Sequence, residues 1–364
     1  MQEYQAVYPC DPTELVYFRK RIGKEGVEEI FAMSVLMHGK KAQEKQVIVD
    51  TTVQEKNITY PTDGKLAIKM IHHLHRIAKT EGISLRRTYV KEIKKHRISL
   101  RFFRHPKKIK KAKAAIKRLR TITGILIRDI SRKLSQERLN KYQETFELFL
   151  KVINQKQKDK DKIYSLHESH IYAITKGKDH KKYEYGTKAS IVITSKSNII
   201  IGVSAHKRNE HDSKTLETAL CHANKHRTKP IKEAICDRGY RGKKEVLQIK
   251  ISIPNTPLKK DTKYQKEQKR RKFRRRASIE PIIGHLKSDY RLARNYLKGF
   301  IGDEINLLLA AVAFNLKKWM NIYFFAIFLQ NITLLQIATL QIQKIKLIYW
   351  SLLGLKIKLY YIKP

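Results

Sequence analysis

Residues 47 to 53, VIVDTTV, form a short β-branched run with one embedded acid, Asp50, and charged or polar sequence on both sides. Such a run reads as a buried strand, and a strand cannot stand alone in water. Its partners are distant, because the next strand-like sequence begins only at residue 187. From about Lys65 to Asn154 the chain instead carries stretches such as IKMIHHLHRIAKTEG and AIKRLRTITGILIRDISRKL, with apolar residues at three- and four-residue steps. That spacing predicts helices throughout, so the block is an insertion between the first strand of a sheet and its second.

After the polar connection QKQKDKDK at 155–162, strand chemistry returns. TKASIVITS (187–195) and NIIIGVSAH (198–206), joined by Lys196-Ser197, predict a hairpin. DSKTLETALCHANKH predicts a helix capped by Asp212 or Ser213. EAICDRGY is an apolar run that ends at Asp237 and turns at Gly239, followed by a short predicted helix near Lys243 to Gln248 and a short strand in KISIPNTP. The run KEQKRRKFRRR (266–276) carries eight basic side chains and one acid, and a helix is predicted to begin just after it, near Ser278. With the helical block set aside, the order is three strands, then helix, strand, helix, strand, helix. This predicts an α/β fold with a ribonuclease H-like mixed five-stranded sheet flanked by helices, the all-helical insertion following the first strand.

Charge narrows the partner. Seventy-eight Lys and Arg face 33 Asp and Glu, a formal net charge of +45 in 364 residues. Self-repulsion of that size is relieved against a polyanion, and nucleic acid is the first expectation. Arg101 to Arg120 alone holds ten basic residues and no acid. Cys10, Cys221 and Cys236 are too scattered for a disulfide framework or a zinc site, and the N-terminus lacks the basic and apolar regions of a signal peptide, which points to the cytoplasm. His167 and His170, like His72, His73 and His75, have no cysteine nearby, so structural zinc is not expected. Trp319 to Gln343 is uncharged and long enough to span a bilayer, but Gln330, Thr333, Gln336, Thr339 and Gln343 recur at helical spacing, which predicts an amphipathic helix rather than a membrane span.

Three carboxylates fall where such a sheet could gather them: Asp50 on the first strand, Asp237 at the end of the fourth, and Glu280 at the start of the last helix. Taken singly, each reads equally well as a turn or cap residue. Together they suit phosphoryl transfer, which uses hard oxygen ligands to hold two Mg²⁺ ions about 4 Å apart. Glu280 and Lys287 lie seven residues apart, two helical turns, and so share a face. Pro281 is tolerated only in a first turn, which sets Glu280 near the helix N-terminus with Ser278 as cap, and Arg276 precedes it. Basic groups beside a metal-binding carboxylate suit anionic DNA, although Arg276 and Lys287 could equally be a solvated basic face.

RKFRRRASIEPIIGHLKSDYRLARNYLKG resembles the last catalytic segment of the bacterial insertion-sequence DDE transposases, in the branch named for insertion sequence five. The family pattern of Tyr, Arg, Glu and Lys maps onto Phe273, Arg276, Glu280 and Lys287, with Phe replacing Tyr. VIVDTTVQEKNITYPTD and AICDRGYRG resemble the family's first-Asp and second-Asp strands, and HDSKTLETAL and KGKDHKKYEYGTKASI are also similar to it. The resemblance runs from about Asp11 to Lys318. It implies a Mg²⁺-dependent DNA transposase that cuts at mobile-element ends and joins the freed 3′-hydroxyl to target DNA. Asp50, Asp237 and Glu280 would be catalytic and hold two Mg²⁺ ions, for which Mn²⁺ could substitute, while Arg276, Lys287, Arg294 and Arg238 would bind DNA. Partners would be terminal inverted repeats and target DNA, with the protein a homodimer on DNA and no small-molecule cofactor.

The expected organisation is a remnant of an N-terminal helical region at 1–46, a catalytic domain at 47–64 and 160–318, the basic helical insertion at 65–159, and an apolar amphipathic tail at 319–364. Only ten residues precede Asp11, which predicts a shortened N-terminal recognition region. The alternative is a catalytically inactive, basic DNA-binding remnant of such an enzyme.

Overall fold

Strand pairing across long sequence separations organises the chain. The computed structural model describes residues 10–352 apart from 157, 179, 180 and 255. Helix α1 (Pro12–Leu36) is capped by Asp11, bends at Gly23 where φ is +61°, and buries Val27, Phe31 and Val35. Strand β1 (Gln46–Glu55) follows. The chain then leaves the sheet for α2 (Asp63–Thr80), α3 (Val90–Ser99), α4 (Ile109–Lys133) and α5 (Gln136–Asn154). It returns as β2 (Tyr172–Lys178), β3 (Lys181–Thr194) and β4 (Ile200–His206), then α6 (Asp212–Lys225), β5 (Glu233–Ile235), β6 (Glu245–Val246) and β7 (Ile249–Ser252). Helices α7 (Lys263–Ala277), α8 (Ile279–Ser288) and α9 (Gly299–Leu352) close the chain.

The predicted helical insertion forms helices α2 to α5, which carry their own hydrophobic cluster, including Leu74, Leu119, Leu126 and Phe149, separate from the core of the sheet. Apolar residues at helical spacing therefore bury one face of each helix against its neighbours, without support from the sheet.

The sheet is mixed but seven-stranded, not five-stranded. Its five predicted strands lie in the order β4, β3, β1, β5, β7, with β4–β3 and β3–β1 antiparallel and β1–β5 and β5–β7 parallel. The additional strands have local causes. The first half of β3 extends far enough to pair with β2 through Tyr172↔Gly186, a length hidden by the polar sequence KKYEYGTK. Strand β6 replaces the short helix predicted at 243–248, because Leu247 and Gln248 both adopt positive φ (51° and 60°) and close a two-residue hairpin onto β7. The basic run at 266–276 is itself helical, forming most of α7. Thr262 and Gln265 make a reciprocal capping box at its start, and no α7 residue is buried.

Helix α6 packs on β3 and β4, α8 on β1, and α1 on α9, which also covers β4. Gly202 permits the α6 contact, since a Cβ there would come within 2.6 Å of the Ala223 Cβ. The end of β1 is tied to the start of α9 by buried charge: Lys56 Nζ lies 2.5 Å from Asp303 Oδ1 and 3.3 Å from Glu168 Oε2. His170 Nε2 reaches the other Asp303 oxygen at 3.0 Å. Removing one member would leave an uncompensated buried charge, which makes this network a strict positional constraint.

Helix α9 is buried through Asn315 on one side and then runs outward. Half of an eighteen-residue apolar window within Gly299–Gln330 lies inside the protein, as in a core helix. Ile322, Tyr323, Phe324 and Phe325 are all exposed and together occupy more than one full turn, while Thr333 and Gln336 of the predicted polar face lie outside the residues whose side chains are described. The tail beyond Leu352, and residues 1–9 of the predicted N-terminal region, lie outside the described residues.

Candidate active site

Parallel pairing brings two acids side by side. Ile48 of β1 is in register with Ile235 of β5, so two residues further along each chain Asp50 and Asp237 leave neighbouring positions in the same direction. Asp50 sits in the middle of β1 opposite Ile191 of β3, its Oδ1 accepting the Thr51 N–H at 2.8 Å. Asp237 turns the chain immediately after β5, where its Oδ1 accepts the Gly239 N–H at 2.8 Å.

The third acid comes from the α7–α8 junction. Ser278 keeps right-handed helical backbone (φ −64°, ψ −15°), so the two helices run almost continuously and Arg276 stands four residues, about one turn, before Glu280. The guanidinium of Arg276 is the hub. Its Nη1 lies 2.6 Å from Glu280 Oε1, and its Nη2 lies 3.0 Å from Asp50 Oδ2 and 3.8 Å from Asp237 Oδ2. The three predicted carboxylates therefore surround one cationic group. The Nε of Arg276 is buried with no hydrogen-bond partner among the described residues.

Burial dominates the electrostatics of Asp50. It pushes the carboxyl from its ordinary 3.8 up to about 6, opposed by Arg276 and the Thr51 N–H and reinforced by the nearby charges of Asp237 and Asp212. Asp212 is a fourth acid that sequence reasoning treated only as a helix cap. In the structure His211 caps α6, accepting from the Ser213 N–H, while Asp212 Oδ1 accepts from the Thr51 hydroxyl at 3.0 Å and pairs with Lys188 at 3.0 Å. A Cβ on Gly239 would lie 3.0 Å from both Asp212 Oδ2 and Asp237 Oδ1, so the turn itself keeps these acids close.

Asp237, Arg238, Phe273 and Arg276 line one cavity of about 360 Å³. Phe273 thus shares a cavity with Asp237 but can offer only its ring, having no hydroxyl to donate. Lys287 is half-buried on α8, two turns beyond Glu280. Arg294 is not brought to the acids and lines a different cavity with Glu55 and Tyr183. Cys236, next to Asp237, is fully buried, and burial pushes its thiol well above the ordinary range.

A separate trio, Glu28, His222 and His226, brings possible metal-ligand atoms within 4.8 Å of one another. Hydrogen bonding argues against an ion there. His222 Nδ1 accepts the Val203 N–H at 3.2 Å, so the neutral ring carries its proton on Nε2, which faces Glu28 Oε1 at 2.6 Å. No lone pair remains at that nitrogen for a metal. His226 Nε2 reaches the same oxygen at 2.8 Å, and the group acts as a clamp between α1 and α6. Burial raises the Glu28 carboxyl, but the two histidine hydrogen bonds outweigh it and hold the group down at about 2.

Comparison with known proteins places these features. Residues 154–316 match the family model described as Transposase DDE domain, a span that includes Asp237 and Glu280 but begins after the helical segment and leaves out Asp50. A stretch of 107 residues is 39% identical to a Rhizobium meliloti protein named uncharacterized protein ORF8 in nfe locus, covering 28% of this chain and 52% of that protein. The match thus spans about half the length of that relative. No solved structure matches the chain.

Proposed function

We propose that this chain, which carries a transposase DDE domain, is a DNA transposase that cuts at the ends of a mobile element and transfers the freed strand to target DNA. The observation that carries the reading is the convergence of Asp50, Asp237 and Glu280 on the single guanidinium of Arg276. The strand order, three antiparallel strands followed by two parallel ones, supports a ribonuclease H-like core.

The donor set suits a divalent cation. Three hard carboxylates from three elements already enclose a positive charge, and one of them is buried at a cost that a bound cation relieves at neutral pH. Asp50, Asp237 and Glu280 would hold Mg²⁺ or Mn²⁺. When bound, such ions supply Lewis acidity to the attacking and leaving oxygens of a phosphoryl transfer.

The chain's own groups do the positioning. Thr51 and Gly239 fix the carboxylates of Asp50 and Asp237 through backbone N–H groups, so the acids are oriented before substrate arrives. Arg276, with one nitrogen unpartnered, can exchange carboxylate for a DNA phosphate once the acids have another cation, and its planar fork suits that bidentate contact. Arg238 and Lys287 flank the same face and would hold neighbouring phosphates, with two chains acting together on the paired ends of the element. The helical segment contributes a broader DNA surface: Arg101, Arg104, Lys107, Lys108, Lys110, Lys111 and Lys113 are all exposed. Arg118 and Arg120 are engaged internally, with Glu92 at 2.6 Å and Asp63 at 2.8 Å, and belong to the scaffold instead.

Asp237→Asn tests the reading. It should abolish Mg²⁺-dependent nicking of plasmid DNA carrying the element termini while DNA affinity stays nearly unchanged, because a neutral amide is a poor Mg²⁺ ligand and no basic group is lost. Nicking that survived the change would place the chemistry elsewhere, and a parent protein that bound but never nicked would be the inactive DNA-binding remnant.

A further inference from the structure

Beyond the carboxylates, β1 ends at a second concave feature. A cavity of about 910 Å³ opens beside Glu55 and Lys56, with Tyr60, Tyr183 and Tyr185 in its wall and Arg104, Lys182 and Arg294 around it. The tyrosines form a connected cluster. Tyr60 meets Tyr185 edge-on at 5.5 Å between ring centroids, Tyr183 lies 6.5 Å from Tyr185, and Tyr164 backs Tyr185 at 5.1 Å. Tyr60 and Tyr183 are 56% and 39% exposed, so aromatic surface is held open to solvent instead of completing the core.

Exposed rings ringed by cations match the chemistry of a nucleobase with its flanking phosphates: every base offers a π-face, and Arg and Lys neutralise the backbone. A base paired within a duplex is covered by its neighbours on both faces and cannot offer that surface. The occupant is therefore an unpaired nucleotide. The positive charge is continuous beyond the pocket. A neighbouring cavity of about 600 Å³ abuts the same 58–62 segment and is lined by Lys65, Lys69, Arg97 and Arg101.

Position relates this pocket to the acids. Asp50 and Glu55 lie on one strand, five residues or about 17 Å apart at the rise of an extended chain. A DNA strand with its cut end at the carboxylates reaches the tyrosines with only a few nucleotides. We propose that the pocket binds an unpaired nucleotide of the element's DNA, its base stacked on Tyr183 and Tyr60 and its phosphates on Arg104, Lys182 and Arg294. This rests on the DNA-transposase reading and assigns Arg294 to this pocket instead of the carboxylate cluster.

The test uses the full chain and two probes, a blunt duplex and the same duplex with a short single-stranded overhang containing 2-aminopurine. The parent should prefer the overhang DNA and quench its fluorescence by stacking. Tyr183→Ala should weaken overhang binding about tenfold and remove the quench, with blunt-duplex affinity unchanged as the control for folding. Tyr183→Phe, which keeps the ring, should retain both. Equal weakening on the two probes, or an unchanged overhang affinity in Tyr183→Ala, would overturn the proposal. Nicking of element-end DNA separates the two claims. A protein that nicks but has no Tyr183-dependent overhang preference loses only the pocket, and one with that preference but no nicking keeps the pocket and loses the enzyme.

Discussion

Replacing Asp50 by asparagine should stabilise the protein and abolish its chemistry together. Burial raises the Asp50 carboxyl from 3.8 to about 6, so in the folded state at neutral pH the ionised group sits in an unfavourable place despite its contact with Arg276. At about 1.4 kcal/mol per pH unit, the ionised side chain costs the fold about 3 kcal/mol relative to its protonated form. Asparagine mimics the protonated form, and urea unfolding at pH 7.5 should show a gain approaching that size. The sign with pH follows from linkage. Between 3.8 and about 6 the folded protein binds the proton more tightly than the unfolded chain, so this contribution to stability falls as pH rises toward 6 and the full cost is present above it. The advantage of the variant should therefore shrink at pH 5, where the parent protonates Asp50 for itself. A divalent cation should act in the opposite direction, stabilising the parent at pH 7.5 by mass action and the variant less. An Asp50→Asn protein less stable than the parent at pH 7.5, or an advantage independent of pH between 5 and 7.5, would refute the reasoning and show that the Arg276 pair outweighs desolvation.

Changing Lys107, Lys108, Lys110 and Lys111 together to Gln should lower duplex affinity and reduce the salt slope by up to about four units, read from binding isotherms across salt; an unchanged slope would remove this surface from the DNA interface. Lys287→Ala should weaken binding to a cut element end more than to random duplex, whereas Lys113→Ala should weaken both alike; equal losses for Lys287 would demote it to an ordinary surface cation. Glu28→Gln should cost about 2 kcal/mol at pH 7 by weakening two charge-assisted contacts. Because the Glu28 carboxyl is held at about 2, below its ordinary 4.5, that benefit is full above 4.5 and fades as pH falls toward 2, so a loss equally large at pH 7 and pH 3 would contradict the clamp. Ending the chain after Met320 should leave the melting temperature within a few degrees of the parent, since residues 321–325, 327–330 and 339–345 are all exposed; a collapse in melting temperature would mean the outer part of α9 packs against the body.

What could be read in advance follows the range of the interactions. Local periodicity located the insertion helices, because their apolar stripes pack on one another, and it located the five strands that are rich in Val and Ile. It missed β2 and β6, whose existence depends on pairing with a neighbour: the polar KKYEYGTK becomes strand only because β3 continues past β1, and EVLQIK becomes a hairpin through two residues at positive φ that carry no glycine signal. The same distinction holds at the site. Asp50, Asp237 and Glu280 could be named from their places within the first strand, just after the fourth and at a helix start, but a single acid at a helix start gives the same signal whether it caps the helix or faces a cleft, so Asp212 was indistinguishable from a cap. Arg276 was placed only loosely, because the basic run before Ser278 has no apolar stripe from which to read a helix; in the structure no α7 residue is buried, and α7 is supported by its capping box and by ion pairs such as Lys269 to Asp261 at 2.6 Å. That helix continues through Ser278 into α8, and its continuity puts Arg276 one turn from Glu280 and over Asp50. The acids are thereby held at mutual distances that their repulsion would oppose if the guanidinium were absent, which makes the most basic segment of the chain the one that preassembles its most acidic site.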